Sequence, residues 1–292
     1  MTAHRMPTVV VAALLMVTTV ACSGSSSPKS SSPASEPPSL PMLLDEVSRH
    51  TTALSQIVVK PDKVSAVTDG PEGQQAWNLN NTSVDPFPVE HRGPSVAWKD
   101  LDGDILAAEL QRIQESCGRE EATWSQADIL SATASVLTVY CAGQVPPAPA
   151  SQTWWNGHPV PDISALTSLE RWQLALDVAA DVAPQGSINE IVFDGHTVAV
   201  QTTTPTCALH VVLGGDQRPV VWACFTPTVR PGISQDFKNA DELLAKQHEA
   251  MDSAGIVSEA DTEVRLAPDV RNTKIEISVR QGTRSASEPL TR

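Results

Sequence analysis

The chain has 292 residues, with 34 acidic against 20 basic side chains, a net charge of −14 and an apolar content of 41%. Its Lys and Arg are scattered singly, which argues against nucleic acid as a partner, because neutralising phosphates takes clustered cations; it also disfavours docking on anionic lipid heads. The apolar content is that of a globular protein, and residues 43 to 281 are enough for one large or two small cores.

His4 and Arg5 precede an uncharged stretch from Thr8 to Ala21. At about 1.5 Å per helical residue this stretch covers roughly 21 Å, short of the ~30 Å hydrocarbon core, and fits an export signal better than a permanent span. It ends in Thr19-Val20-Ala21-Cys22, and residues 23 to 41 are nearly all Ser and Pro. Together these features resemble the signal peptide, lipid-attachment box and spacer of bacterial lipoproteins, in the style of those from actinobacteria. One position departs from that pattern: Thr19 stands where Leu, Val or Ile is usual. The resemblance covers this N-terminal segment only. It implies acyl chains on Cys22, a membrane partner reached through that anchor, and a location on the extracytoplasmic face of the cell membrane. The Ser/Pro run buries too little apolar surface to offset its ordering entropy, so it reads as a semi-extended tether.

Beyond the tether, Leu43 to Leu54 reads as a helix. Two short strands follow around a turn, Ile57-Val58-Val59-Lys60-Pro61-Asp62-Lys63-Val64-Ser65-Ala66-Val67. This pattern returns, one residue shorter, at Ile191-Val192-Phe193-Asp194-Gly195-His196-Thr197-Val198-Ala199-Val200, again after a helical stretch, Thr167 to Val182. In that second helix Thr167 and Glu170 stand at capping-box spacing, Leu169, Trp172, Leu176 and Ala179 share one face, and Pro184 ends it. Further on, Asp104-Ile-Leu-Ala-Ala-Glu-Leu and Asp241-Glu-Leu-Leu-Ala-Lys-Gln open two more helices, which reach Gly118 and Gly255 at the same offset. Leu106, Leu110, Ile113 and Cys117 line one side of the first, and alternating runs follow both, Ala134 to Tyr140 and Lys274 to Val279. Helix, strands, helix, strands therefore occurs twice.

The expected fold is α+β, with two tandem modules that are each an antiparallel sheet with helices packed on one face. One sheet shared by both halves is the alternative. The expected division is a signal peptide (1–21), a lipidated tether (22–42), module 1 (43–143), a Pro-rich connector (144–162), module 2 (163–281) and a flexible tail (282–292).

Besides Cys22 there are four cysteines, an even number that suits two disulfides in an exported chain. Residues 207 to 224 read as a hairpin around Gly215-Asp216, with Val211 opposite Val220, Leu209 opposite Trp222 and Cys207 opposite Cys224. The remaining pair is then Cys117 with Cys141. Metal ligation is the alternative for these thiols, but there is no Cys-x-x-Cys and no His at ligand spacing.

Catalytic motifs are missing from the sequence: His248-Glu249 is not followed by the second His of a zinc-protease motif, and there is no Gly-x-Ser-x-Gly elbow or Gly-rich phosphate loop. Asp100-Leu-Asp102-Gly-Asp104 looks like the start of a calcium loop, yet Ile105 and Gln111 occupy the positions that need Gly and a carboxylate. Helix capping by Asp102 and Asp104 is the better reading. Trp154 and Trp155 are the candidate ligand-binding residues, a platform for a sugar or flat apolar ligand, set against the alternative that they pack within the protein. His50, His91, His158, His196, His210 and His248 are spread singly, so no metal site and no cofactor is expected. The expected function is a non-catalytic, membrane-tethered interaction or accessory module with a possible protein partner in the envelope. The alternative is an envelope binding protein for a small hydrophobic or glycan ligand.

Overall fold

Each half of the chain starts with a helix that buries one stripe, then lays down a meander of strands. The computed structural model describes residues 40–61, 63–70, 73–80, 83–88, 93–146, 148, 150–182, 187–203, 208–215, 219–223, 239–269 and 274–290. The expected signal peptide, Cys22, most of the expected tether, His91, Pro184, Cys207 and Cys224 lie outside these residues.

In the first half, α1 (Leu40–His50) buries Leu43, Leu44 and Val47, three and four residues apart as a helical stripe requires. It is set three to four residues earlier than the sequence suggested. Ala53 and Leu54 instead begin β1 (Ala53–Lys60), where they pair with strands on both sides. The meander continues through β2 (Lys63–Gly70), β3 (Gly73–Asn80) and β4 (Ser83–Pro88). After β5 (Val96–Ala97) and a 3-10 turn at Trp98–Asp100 comes α2 (Gly103–Glu115), with Leu106, Leu110 and Ile113 buried as expected. Then follow β6 (Ala122–Ser131), β7 (Ala134–Cys141), β8 (Gln152–Trp155) and β9 (His158–Pro159).

The second half repeats the order. It runs α3 (Ser168–Val182), β10 (Ser187–Phe193), β11 (Thr197–Thr203), β12 (Ala208–Gly214), β13 (Val220–Ala223), α4 (Ala240–Ala254), β14 (Glu263–Pro268), β15 (Ile275–Gln281) and β16 (Arg284–Pro289). Among the described residues the first sheet has nine strands, ordered β4-β3-β2-β1-β6-β7-β8-β9 with β5 also on β1; the second has seven, β13-β12-β11-β10-β14-β15-β16. Both are antiparallel throughout. The fold is therefore α+β with two sheet modules, and the sheets are separate.

The internal repeat extends to irregularities. In β1 the register against β2 slips between Leu54 and Gln56, and in β10 against β11 it slips between Ile188 and Glu190. Ile57 and Ile191 follow these bulges at the same offset, and both point into their cores. Ser55, at the first bulge, is buried with its hydroxyl 2.7 Å from that of Ser95. A bulge bends a strand and raises its twist, so matching bulges give the two sheets the same local curvature under their helices.

Local chemistry explains several boundaries. Asp102 caps α2 by accepting from the backbone N–H groups of Asp104 and Ile105, both at 3.1 Å. Thr167 and Glu170 form the reciprocal box: the Glu170 carboxylate accepts from Thr167 N–H at 2.7 Å, and Thr167 Oγ1 accepts from Glu170 N–H at 3.3 Å. Gly255 closes α4 in the left-handed conformation (φ 66°). The β10–β11 turn is fastened by Asp194, whose Oδ1 accepts from His196 N–H (2.7 Å) and Thr197 N–H (2.8 Å).

Three expectations are corrected. The connector 144–162 contains β8 and β9, because Trp154 and Trp155 give a short strand apolar anchors on both faces of the sheet. The tail contains β16, which pairs with β15 from Gln281↔Arg284 to Glu276↔Pro289; an edge strand needs little apolar content, so its polar sequence looked loose. In α3, Leu169 is 38% exposed and the buried face is Ser168, Arg171, Trp172, Ala175, Val178 and Ala179. The helix is turned because it is covered from several sides, by α4, the second sheet and the end of the first.

Candidate functional site

Four places bring chemistry-bearing side chains together. The first is the expected tryptophan platform. Trp154 and Trp155 are 7% and 9% exposed, and the alternation of β8 sends them to opposite faces. Trp154 joins the first core, with the Arg112 guanidinium carbon 4.7 Å from its ring centroid. Arg112 is held there by donating to the Gly157 carbonyl at 2.5 Å. Trp155 joins the second core beside Leu130, Ala134, Val136 and Trp172, and its Nε1–H donates to Asp181 at 3.2 Å. Asn156 donates to the same carboxylate oxygen at 2.7 Å. Both rings are packed against protein, and the pair joins the modules.

A polar cluster at the start of α3 was not legible in sequence, because its members are up to 91 residues apart. Ser168 Oγ donates to Glu259 Oε2 at 2.5 Å, and His248 Nε2 lies 2.8 Å from Glu259 Oε1. Behind them the fully buried Gln247 accepts from Trp172 Nε1 at 2.9 Å. Burial pushes the Glu259 carboxyl up, but hydrogen bonds from Ser168 and His248 and the charges of His248 and Arg171 outweigh it, leaving it below its ordinary value. These three residue types occur in hydrolases, but the order differs. A nucleophilic relay places the imidazole between hydroxyl and carboxylate. Here the carboxylate is in the middle and the serine proton points at it, so the imidazole has no path to activate the hydroxyl. The cluster ties the segment after α4 to the amino end of α3.

The third place is a trough of about 610 Å³, open to solvent, between α1 and the approach to α2. Leu44, Trp98 and Leu101 line it together with Asp45, Asp100, Asp102 and Asp104. Asp102 is engaged as the helix cap, as the sequence reading favoured over a calcium loop.

The fourth is the Cys117–Cys141 disulfide, which joins the turn after α2 to the end of β7. It borders a pocket of about 260 Å³ with Ser116, Glu120 and Ser151. The hairpin expected around Gly215 has the expected register, Leu209↔Trp222 and Val211↔Val220. Its proposed link, Cys207 to Cys224, lies outside the described residues.

Among the described residues the histidines remain apart. His50 stacks on Trp77 with centroids 5.9 Å apart, His158 pairs across from Trp155 in the β8–β9 hairpin, and His196 sits in the β10–β11 turn. Burial pushes His210 below its ordinary value, against a smaller opposing effect of Glu190.

The class these features define is a two-module α+β protein built on a repeated helix–meander–helix–meander unit. No protein-family model matches the chain, and no curated protein matches its sequence. Among solved structures it is similar to PCNA from Thermococcus kodakaraensis at 10% identity, over 85% of this chain and 94% of that one, with a TM-score of 0.17. It is similar to the PCNA2–PCNA3 complex from Sulfolobus tokodaii at 8% identity, over 85% and 94%, with a TM-score of 0.19. A third similarity is to the DNA polymerase III subunit beta from Pseudomonas aeruginosa at 10% identity, over 84% of this chain and 58% of that one, with a TM-score of 0.15. Likeness at these TM-scores carries no argument about function, and the fold assignment rests on the strand order itself.

Proposed function

We propose that this chain is an exported, lipid-anchored protein on the outer face of the cell membrane that works as a non-catalytic interaction module. The observation that carries the reading is the use of its most ligand-like residues: Trp154 and Trp155 are packed into the two cores. The hydroxyl–carboxylate–imidazole order around Glu259 supports the non-catalytic part, and Thr19 to Cys22 with the Ser/Pro run supports the anchor. Function then falls to the exposed surfaces of the modules. Two measurements test this. Cys22→Ser should move the protein from the membrane fraction to the soluble fraction, and unchanged membrane association defeats the anchor. Native mass spectrometry of protein extracted from its own membranes should show a protein partner, whereas a reproducible small added mass defeats the interaction reading.

A second reading is favoured by the trough at Leu44, Trp98 and Leu101, whose ~610 Å³ falls within the size range of small-molecule sites. It makes the chain a binding protein for a small ligand of the envelope. If so, Trp98→Ala should abolish the small added mass without releasing the protein from the membrane.

A further inference from the structure

β16 ends the strand order of the second sheet, and no described strand lies beyond it. The orientation of its backbone follows from one bond. Leu290 N–H donates to the Ile275 carbonyl at 2.8 Å, in register with the pairing of Pro289 to Glu276. Antiparallel partners alternate between hydrogen-bonded and non-hydrogen-bonded pairs. Arg284, Ala286 and Glu288 therefore turn their N–H and C=O groups to β15, and Ser285, Ser287 and Pro289 turn theirs out of the sheet. All three outward residues are exposed, and Pro289 has no N–H. The edge thus offers two complete donor–acceptor pairs, at Ser285 and Ser287, flanked by small side chains.

We propose that this edge binds the same edge of a second copy of the chain, antiparallel about a two-fold axis at Ala286. In that register Ser285 of each copy lies opposite Ser287 of the other, giving four backbone hydrogen bonds and continuing the sheet across both molecules. Ala286 meets Ala286 as a non-hydrogen-bonded pair, where strands come closest and small side chains fit. Arg284 of each copy lies directly opposite Glu288 of the other, so two ion pairs of opposite sign form on the helix side. Sliding the copies by two residues in either direction separates both pairs, which makes charge the determinant of register.

Both charged side chains are already held on that side. Arg284 Nη1 donates to the Gly255 carbonyl at 2.6 Å, and Glu288 Oε1 accepts from Ser253 Oγ at 2.9 Å. These contacts fix where the side chains lie while leaving the other guanidinium donors and the second carboxylate oxygen for the facing copy. The inference goes beyond the interaction-module reading and does not depend on the lipid anchor or on an envelope partner.

Sedimentation velocity of the full chain in density-matched detergent, over a range of protein concentrations, tests it. The expected result is a reversible monomer–dimer equilibrium. Ser287→Pro removes one outward N–H per copy, hence two of the four bonds, and touches none of the bonds to β15. Arg284→Glu sets like charges opposite each other. Each should weaken dimerisation roughly tenfold, and the double swap Arg284→Glu with Glu288→Arg should recover most of it. Because Ser287→Pro can harm folding, its melting curve is read alongside, and the charge swap and its rescue decide the matter if that variant unfolds. A chain that stays monomeric, or dimerises indifferently to the charge swap and its reversal, overturns the proposal.

Discussion

Trp154 and Trp155 are consecutive in β8, and their rings lie in different hydrophobic cores. A strand turns successive side chains to opposite faces, so two adjacent aromatics here serve as a two-sided anchor between the modules. Replacing either with Ala should cost about 3–5 kcal/mol of folding stability, read from urea denaturation. The Phe variants separate the roles. Among the described residues the Trp154 indole N–H is buried without a partner, while that of Trp155 donates to Asp181. Trp155→Phe should therefore cost about 1 kcal/mol more than Trp154→Phe. Equal costs would show that the Asp181 contact contributes nothing at the seam.

Glu259 should make part of the stability depend on pH. Its folded-state carboxyl lies below the ordinary value of 4.5 because its hydrogen bonds and nearby positive charges outweigh burial. For a carboxyl lowered on folding, the stabilisation is fully present above the unfolded value and is lost as pH falls through the folded one. Denaturation curves between about pH 6 and pH 3 should therefore lose stability more gradually for Glu259→Gln than for the native chain, with the variant already weaker at pH 6. Parallel pH profiles would rule out Glu259 as a contributor.

The Cys117–Cys141 bridge closes a loop with a sequence separation of 24. Chain-entropy arguments give a crosslink of this span roughly 3–4 kcal/mol. Replacing both cysteines with Ser should lower the urea midpoint accordingly. A reductant should lower the midpoint of the native chain and leave that of the variant in place, provided Cys207 and Cys224 are also replaced in both.

Two glycines with similar backbone angles should respond differently to Ala. Gly214 (φ 81°) faces the His196 carbonyl and the Ile163 side chain, both of which a Cβ would strike. Gly255 (φ 66°) has open space around it. Gly255→Ala should cost about 1 kcal/mol, the strain of the left-handed conformation alone, and Gly214→Ala distinctly more. Thermal melts of the two variants check this, and a reversed order would show that the β12 end can shift without cost.

Much of the fold was readable before the structure because it rests on local rules. The register of Leu209 with Trp222 follows from alternation around Gly215, the box at Thr167 and Glu170 from spacing, and the buried stripe of α2 from a period of 3.6. The repeat was visible because Ile57 and Ile191 head the same pattern in both halves. Strands β8 and β16 were not visible, since short strands at or near a sheet edge carry no apolar alternation to betray them. The Ser168–Glu259–His248 cluster was equally hidden, because no spacing rule links residues so far apart.

Sequence alone determined the class of structure: periodicity and turn chemistry act over a few residues, so they fix helices, hairpins and a twofold order of elements. Tertiary structure decided which faces those elements use. Leu169 is exposed and Arg171 buried because α3 meets α4 and both sheets, and the direction in which each of Trp154 and Trp155 points acquires meaning only when a second core stands on the other side of β8. Burial is a property of what surrounds a residue, and surroundings assembled from distant segments leave no local trace.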